Sequence, residues 1–178
     1  MNRFNFTVQT DKMAGGWHGS YTPFYERLFA GIKDHLGFVL EIGTDGGGSL
    51  LAYRNWFKYC TVIGMDINPA PEAVQGQQRV VHIQEDAYNT NSVKKLKDYH
   101  FTAMIDDGPH TLESQLFFVE FYVPLLSEDG IAVVEDVQDI EHISKLAGKL
   151  PPGFMGYGVD LRWADDRYDS ILFVAQRK

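Results

Sequence analysis

Two short acidic stretches carry the residues most suited to chemistry: Asp106-Asp107-Gly108-Pro109-His110 and Glu135-Asp136. Each follows a β-branched, apolar run, so each falls where a strand should end. If those strands are neighbours in a parallel sheet, Asp107, Glu135 and Asp136 converge outside its carboxyl edge, where ligands of such sheets bind. Three carboxylates in one small volume repel and raise one another's pKa unless a cation neutralises them. An all-oxygen donor set on a partly open site suits Mg²⁺, which keeps water or substrate oxygens in its shell. His110 stands three residues after Asp107, in a turn before a helix capped by Thr111. A neutral imidazole there could take a proton from a hydroxyl held nearby. Acids at strand ends also cap helices, and a loop histidine is often only a polar surface group.

A second set of residues points to a nucleoside. Residues 40–49 read Leu-Glu-Ile-Gly-Thr-Asp-Gly-Gly-Gly-Ser and lead from a strand into a helix. Glycines there permit a tight turn and close approach of a ligand to the backbone. The dinucleotide fingerprint is absent, because starting it at Gly43 would require glycine in place of Asp45. Glu41 and Gly43, followed by Gly46, Gly48 and Ser49, instead resemble the nucleoside loop of S-adenosylmethionine enzymes. Asp66 ends the next strand, where a carboxylate can accept both ribose hydroxyl protons. Asp86 ends the third and is placed to accept an adenine amino group, although a turn cap is its ordinary alternative. Asp106, closing the fourth strand, is assigned to the same cofactor side.

The elements needed to position these groups are legible in the pattern. Strands are predicted at 38–43, 61–67, 79–85, 101–106, 130–136, 155–161 and 170–176, with helices at about 47–58, 90–99, 111–125 and 139–149. That alternation indicates βα units and a parallel sheet. Pro69, Pro71 and Gly76 allow at most a short helix after Asn68. Residues 162–169 are too few for a crossover helix, so the last two strands should form an antiparallel hairpin. Ahead of the first strand, Thr22 is a candidate N-cap with Pro23 at the first helical position. Phe24, Leu28, Ile32 and Leu36 then form a stripe at steps of four. The expected architecture is a doubly wound α/β fold: a seven-stranded, mostly parallel Rossmann-like sheet of the class I methyltransferase type, closed by the hairpin. We assign one domain over 1–178, with 1–37 as a cap segment and helix and 38–178 as the core.

Composition narrows the partners. The 178 residues carry 16 Lys and Arg against 24 Asp and Glu, a formal charge of −8. No basic stripe is present to grip a phosphate backbone, so nucleic acid is not expected; Lys94, Lys95 and Lys97 read as one solvated helix face. No apolar run approaches the ~18 residues of a membrane span. The opening residues lack the basic and apolar regions of a signal peptide, and the expected location is cytoplasmic. The single cysteine, Cys60, offers neither an internal disulfide nor zinc spacing.

With these residues in hand, the chain resembles the macrocin-type sugar O-methyltransferases, Mg²⁺-dependent enzymes that methylate deoxysugar hydroxyls on glycosylated natural products. The resemblance rests on Asp11-Lys12 with His18 and Tyr21, the 41–49 loop, Asp66, Asp86, Asp107-Gly108-Pro109-His110 and Glu135-Asp136. It implies S-adenosylmethionine as methyl donor, Mg²⁺ on Asp107, Glu135 and Asp136, and His110 as general base. Catechol O-methyltransferases share the layout, with lysine at the position of His110 and asparagine at that of Asp136. Both families act on vicinal oxygens, so the implied acceptor is a diol-like sugar or glycoside. Pro109 stands where the macrocin-type family commonly has serine. The chain is also short for an additional domain or long lid around a bulky macrolide. We expect the segment 11–21, with Lys12, His18 and Tyr21, to fold over the cofactor and border the acceptor pocket. Trp163 and Tyr168 could offer stacking faces to a sugar. A catechol-like or other vicinal-diol small-molecule O-methyltransferase, a non-catalytic nucleoside-binding subunit and an NAD-dependent dehydrogenase are the rival readings; the second has no need of His110, and Asp45 disfavours the third. A homo-oligomer is compatible with the sequence, which does not specify one.

Overall fold

The structure, a computed structural model, describes Lys12 and residues 19–178. Its centre is a seven-stranded sheet in the order β3-β2-β1-β4-β5-β7-β6. The strands are β1 (Gly37–Ile42), β2 (Cys60–Asp66), β3 (Val80–Gln84), β4 (Phe101–Asp106), β5 (Leu126–Val134), β6 (Phe154–Asp160) and β7 (Ile171–Arg177). The first five are parallel, whereas β7 runs antiparallel to both β5 and β6. This is the expected doubly wound sheet with a terminal hairpin. The chain reverses direction in strand order beside β1, between β2 and β4, which creates the crevice typical of such sheets.

Alternation along the strands builds two cores. Val39, Val62, Ala103, Ile105 and Val133 point to one face, with α1 (Tyr21–Leu28) and α2 (Gly48–Trp56) packed on it. Leu40, Ile63, Met65, Met104 and Val134 point to the other, among Phe118, Val119 and Tyr122 at the end of α4 (Leu112–Phe121) and Leu146 of α5 (His142–Lys149). Both faces are therefore apolar, as a parallel sheet covered by helices requires. Between β3 and β4 lies the short α3 (Thr90–Lys95), capped by the Asn89 side chain. Only a 3₁₀ turn, Glu72–Val74, follows Asn68. A single helical turn, α6 (Arg162–Asp165), sits in the hairpin connection. No helix among the described residues is long and apolar enough to cross a membrane.

The first helix departs from expectation. It starts at Tyr21 with Ser20 at the cap position, and Thr22 instead donates its hydroxyl to the Lys12 carbonyl. Tyr21 and Tyr25 of the helix and Phe29 and Ile32 just after it are buried; of the expected series only Ile32 is fully buried, Phe24 and Leu28 are half-buried against the core, and Leu36 is 82% exposed. The helix ends at Leu28, so the four-residue step does not extend to Leu36. Strand β5 also begins four residues before the expected Gly130 and stops ahead of Glu135.

Register carries the site. Ile42 is level with Asp106, and Asp106 with Val134. The ladder continues one residue further, with Asp107 N–H donating to the Ile42 carbonyl (2.9 Å) and Glu135 N–H to that of Asp106 (2.9 Å). Gly43, Asp107 and Glu135 thus leave the sheet along one rim. Gly43 has φ +81°, and a Cβ there would overlap the Asp107 carbonyl group, lying 2.7 Å from its carbon. Gly43→Ala should therefore destabilise the fold by roughly 2–4 kcal/mol through backbone strain and overpacking. A lower urea midpoint at unchanged m-value would show it.

Candidate active site

The carboxyl rim of β4 and β5 gathers the acidic groups. One oxygen of each carboxylate is engaged by a neighbouring side chain. Asp107 Oδ1 lies 3.1 Å from His110 Nε2. Asp136 Oδ1 accepts the Tyr21 hydroxyl at 2.6 Å. Glu135 Oε1 accepts the Tyr25 hydroxyl. The Lys12 ammonium bonds Asp107 Oδ2 and lies 3.2 Å from Glu135 Oε2. One atom each of Asp107, His110 and Asp136 lies within 4.8 Å of the others, close enough to share one ion. Glu135 adjoins this group through Lys12. His110 (φ +56°) and Asp136 (φ +51°) both have left-handed backbones, a strained conformation that tends to concentrate at functional sites.

Burial and charge set the protonation of the group. Burial raises Glu135 well above the carboxylate range, and the negative Asp107 and Asp136 add to this against the opposing pull of Lys12. Burial would do the same to Asp107, but the Lys12 ammonium and the His110 hydrogen bond outweigh it and hold that carboxyl low. Desolvation disfavours the His110 imidazolium, yet its hydrogen bond to Asp107 and the surrounding carboxylates raise its pKa overall. Lys12 stays charged for the same reason: Asp107, Glu135 and Glu41 overcome its desolvation.

Beside this cluster lies a cavity of about 570 Å³, bordered by Gly43, Asp66, Asp86, Tyr88, Asp107 and Pro109, among others. Asp66 Oδ2 accepts the Thr44 N–H and its Oδ1 the Asn68 N–H, both at 2.8 Å. Burial opposes ionisation of Asp66, but these bonds prevail and its pKa is lowered. Asp86 accepts the Tyr88 N–H at 2.9 Å, so it closes a turn while bordering the cavity. A second space of about 300 Å³ adjoins it, bordered by Lys12, residues 43–49, Asp107 and His110. Gly46, Gly48 and Ser49 lie here. Glu41 is buried behind the loop, where it accepts the Ser49 hydroxyl at 2.6 Å.

Asp106 is placed differently from the reading that assigned it to the cofactor. It is buried, does not border the cavity, and accepts the Tyr88 hydroxyl. The side chains of strand β4 alternate, so Asp106 and Asp107 cannot face the same way. Burial lifts the Asp106 pKa to about 7, with Asp107 adding and the Tyr88 bond opposing. His18, like Asp11 and Trp17, lies outside the described residues. Lys12 and Tyr21 do reach the site, through the carboxylates.

Three contributors have no motif of their own. Tyr25 is signalled only by its four-residue spacing from Tyr21. Tyr88 covers Gly108 so closely that a Cβ on that glycine would strike its hydroxyl. Gln115, from α4, donates its amide to the Glu135 carbonyl at 3.0 Å and so secures the acidic pair's backbone.

The chain was also compared with known proteins. No family model matches the chain. It is 32% identical over 128 residues to the 8-demethyl-8-alpha-L-rhamnosyl tetracenomycin-C 2'-O-methyltransferase of Streptomyces olivaceus, covering 67% of this chain and 33% of that protein. It is 29% identical over 126 residues to the demethylmacrocin O-methyltransferase of Streptomyces fradiae, covering 66% and 31%. The MycE methyltransferase of the mycinamycin biosynthetic pathway, solved with Mg, SAH and mycinamycin VI, superposes with a TM-score of 0.60 at 28% identity, over 65% of this chain and 32% of that one. This chain is a homologue of sugar O-methyltransferases. Its fold is that of the class I methyltransferases, and it spans about a third of the length of the curated relatives it matches.

The tyrosine contacts of this methyltransferase homologue are open to a direct test. Tyr25→Phe leaves the buried Glu135 carboxyl short of a hydrogen-bond partner and should cost about 1–3 kcal/mol. Tyr59→Phe, at a half-exposed ring, should stay within about 0.5 kcal/mol. Guanidinium unfolding of the two variants measures the contrast.

Proposed function

We propose that the chain transfers a methyl group from S-adenosylmethionine to a hydroxyl of a sugar or glycoside in a Mg²⁺-dependent reaction. The observation that carries this reading is the meeting of Asp107, His110 and Asp136 within 4.8 Å, at the edge of a cavity bordered by Asp66 and Asp86. The donor chemistry fits the ion, since Asp107 and Asp136 offer hard carboxylate oxygens within one small group, with the Glu135 carboxyl beside them across Lys12. Those three would hold Mg²⁺, which when bound makes a neighbouring hydroxyl more acidic and aligns adjacent oxygens. S-adenosylmethionine supplies an activated methyl group with its own leaving group.

The chain's residues supply binding, orientation and proton transfer. Asp66 would take the ribose hydroxyls and Asp86 the adenine amino group, with Gly43 and the following loop along the remainder of the cofactor. His110, 3.1 Å from Asp107 Oδ1, removes the acceptor's hydroxyl proton. Tyr21 and Tyr25 keep the acidic pair oriented; orientation and preorganised charge are the main levers left to the protein. On the acceptor side, Gln138 donates to the Asp136 carbonyl at 2.9 Å and accepts the hydroxyl of the exposed Tyr168 at 3.0 Å. The Tyr168 ring is thereby tied to the acidic loop, a suitable wall for a sugar.

Three measurements test the reading. Asp66→Ala should weaken S-adenosylhomocysteine binding about 10–100-fold in calorimetry, the effect of losing charge-assisted ribose bonds. Asp107→Ala and His110→Ala should abolish methyl transfer to a rhamnoside while retaining that binding. EDTA should stop turnover and Mg²⁺ restore it; full activity in EDTA rejects the metal role.

A further inference from the structure

The three carboxylates share one arrangement. Each has one oxygen engaged by a neighbouring side chain: His110 at Asp107, Tyr25 at Glu135 and Tyr21 at Asp136. The second oxygens of Asp107 and Glu135 both meet the Lys12 ammonium. A cation bridging Asp107 and Glu135 would need these oxygens, and Lys12, 2% exposed, already sits between them. We propose that Lys12 is an exchangeable internal counter-ion: its ammonium and a divalent cation compete for Asp107 Oδ2 and Glu135 Oε2, so that metal binding expels the lysine side chain. This rests on the reading of Asp107 and Glu135 as cation ligands.

Physical chemistry favours exchange over coexistence. An ammonium and a divalent ion on the same two oxygens repel strongly where burial leaves little screening. Removing Lys12 without a replacement would leave buried carboxylates uncompensated, which is strongly unfavourable. A cation of either kind is therefore required. The backbone of Lys12 need not move, because its carbonyl is held by the Thr22 hydroxyl at the start of α1. The flexible four-carbon stem can swing alone. Lys12 already borders the 300 Å³ space beside the glycine loop, which gives the ammonium somewhere to go.

The test uses the full chain and Mg²⁺ as the probe. If Lys12 occupies the pair nine-tenths of the time, Lys12→Met should bind Mg²⁺ about tenfold more tightly by calorimetry. In the unaltered protein, acetic anhydride labelling of Lys12, read by mass spectrometry, should rise at saturating Mg²⁺. Labelling of the exposed Lys97 should stay constant. Lys12 that remains protected at saturation, or equal affinities in the two proteins, overturns the exchange. If Asp107→Asn abolishes Mg²⁺ binding while either of those results holds, the ligand reading stands and only the exchange falls. If neither the unaltered protein nor Lys12→Met binds Mg²⁺, both fall together.

Discussion

Concentrated negative charge at the rim of β4 and β5 is the constraint around which the surrounding structure is arranged. Three carboxylates in a shielded site are tolerable only with donors and a counter-charge supplied by the chain. Tyr21 and Tyr25 bring hydroxyls from α1, Gln115 secures the backbone from α4, and Lys12 contributes the positive charge. These groups come from both faces of the sheet and from the segment ahead of it. The first helix is consequently more than a cover: its buried tyrosines end in hydroxyls that reach the acidic pair.

Register converts this local chemistry into a site with two halves. Parallel pairing makes Ile42, Asp106 and Val134 level, so the residues after them emerge side by side. The glycine loop then lies next to the acidic cluster instead of a strand-width away. Gly43 is the point of closest approach between the two halves, and its lack of a side chain lets the turn after β1 pack against the Asp107 backbone. The alternation that directs Asp107 outward turns Asp106 inward to Tyr88. Two adjacent aspartates therefore have different surroundings: one is held low by cations, the other raised by burial.

Most strand positions, the terminal hairpin and the short turn after Asn68 are readable along the chain, because β-branched runs and turn residues act locally. The acidic motifs and the glycine loop are readable for a similar reason, since strand ends in a parallel sheet mark its ligand edge. The packing of the first helix is not. Its apolar residues occur at several compatible spacings, and a stripe through Phe24 and Leu28 looks as regular as the buried one through Tyr21 and Tyr25. Which is buried depends on where the helix ends and which residues find partners on the sheet. Tyrosine is especially hard to place from sequence, because its ring fits a core while its hydroxyl needs a polar partner.

The sequence by itself determined the strand-and-helix alternation, the class of sheet and the identity of the acidic, glycine-rich and imidazole groups at its ligand edge, because those depend on local periodicity and residue type. Tertiary structure alone decided that Lys12 meets Asp107 and Glu135, that Tyr25 and Tyr88 attend the buried acids, and that Asp106 turns away from the cavity. Such pairings join residues as far apart in the chain as Lys12 and Glu135, and buried charge selects its partners by proximity in the folded chain, which no local pattern encodes.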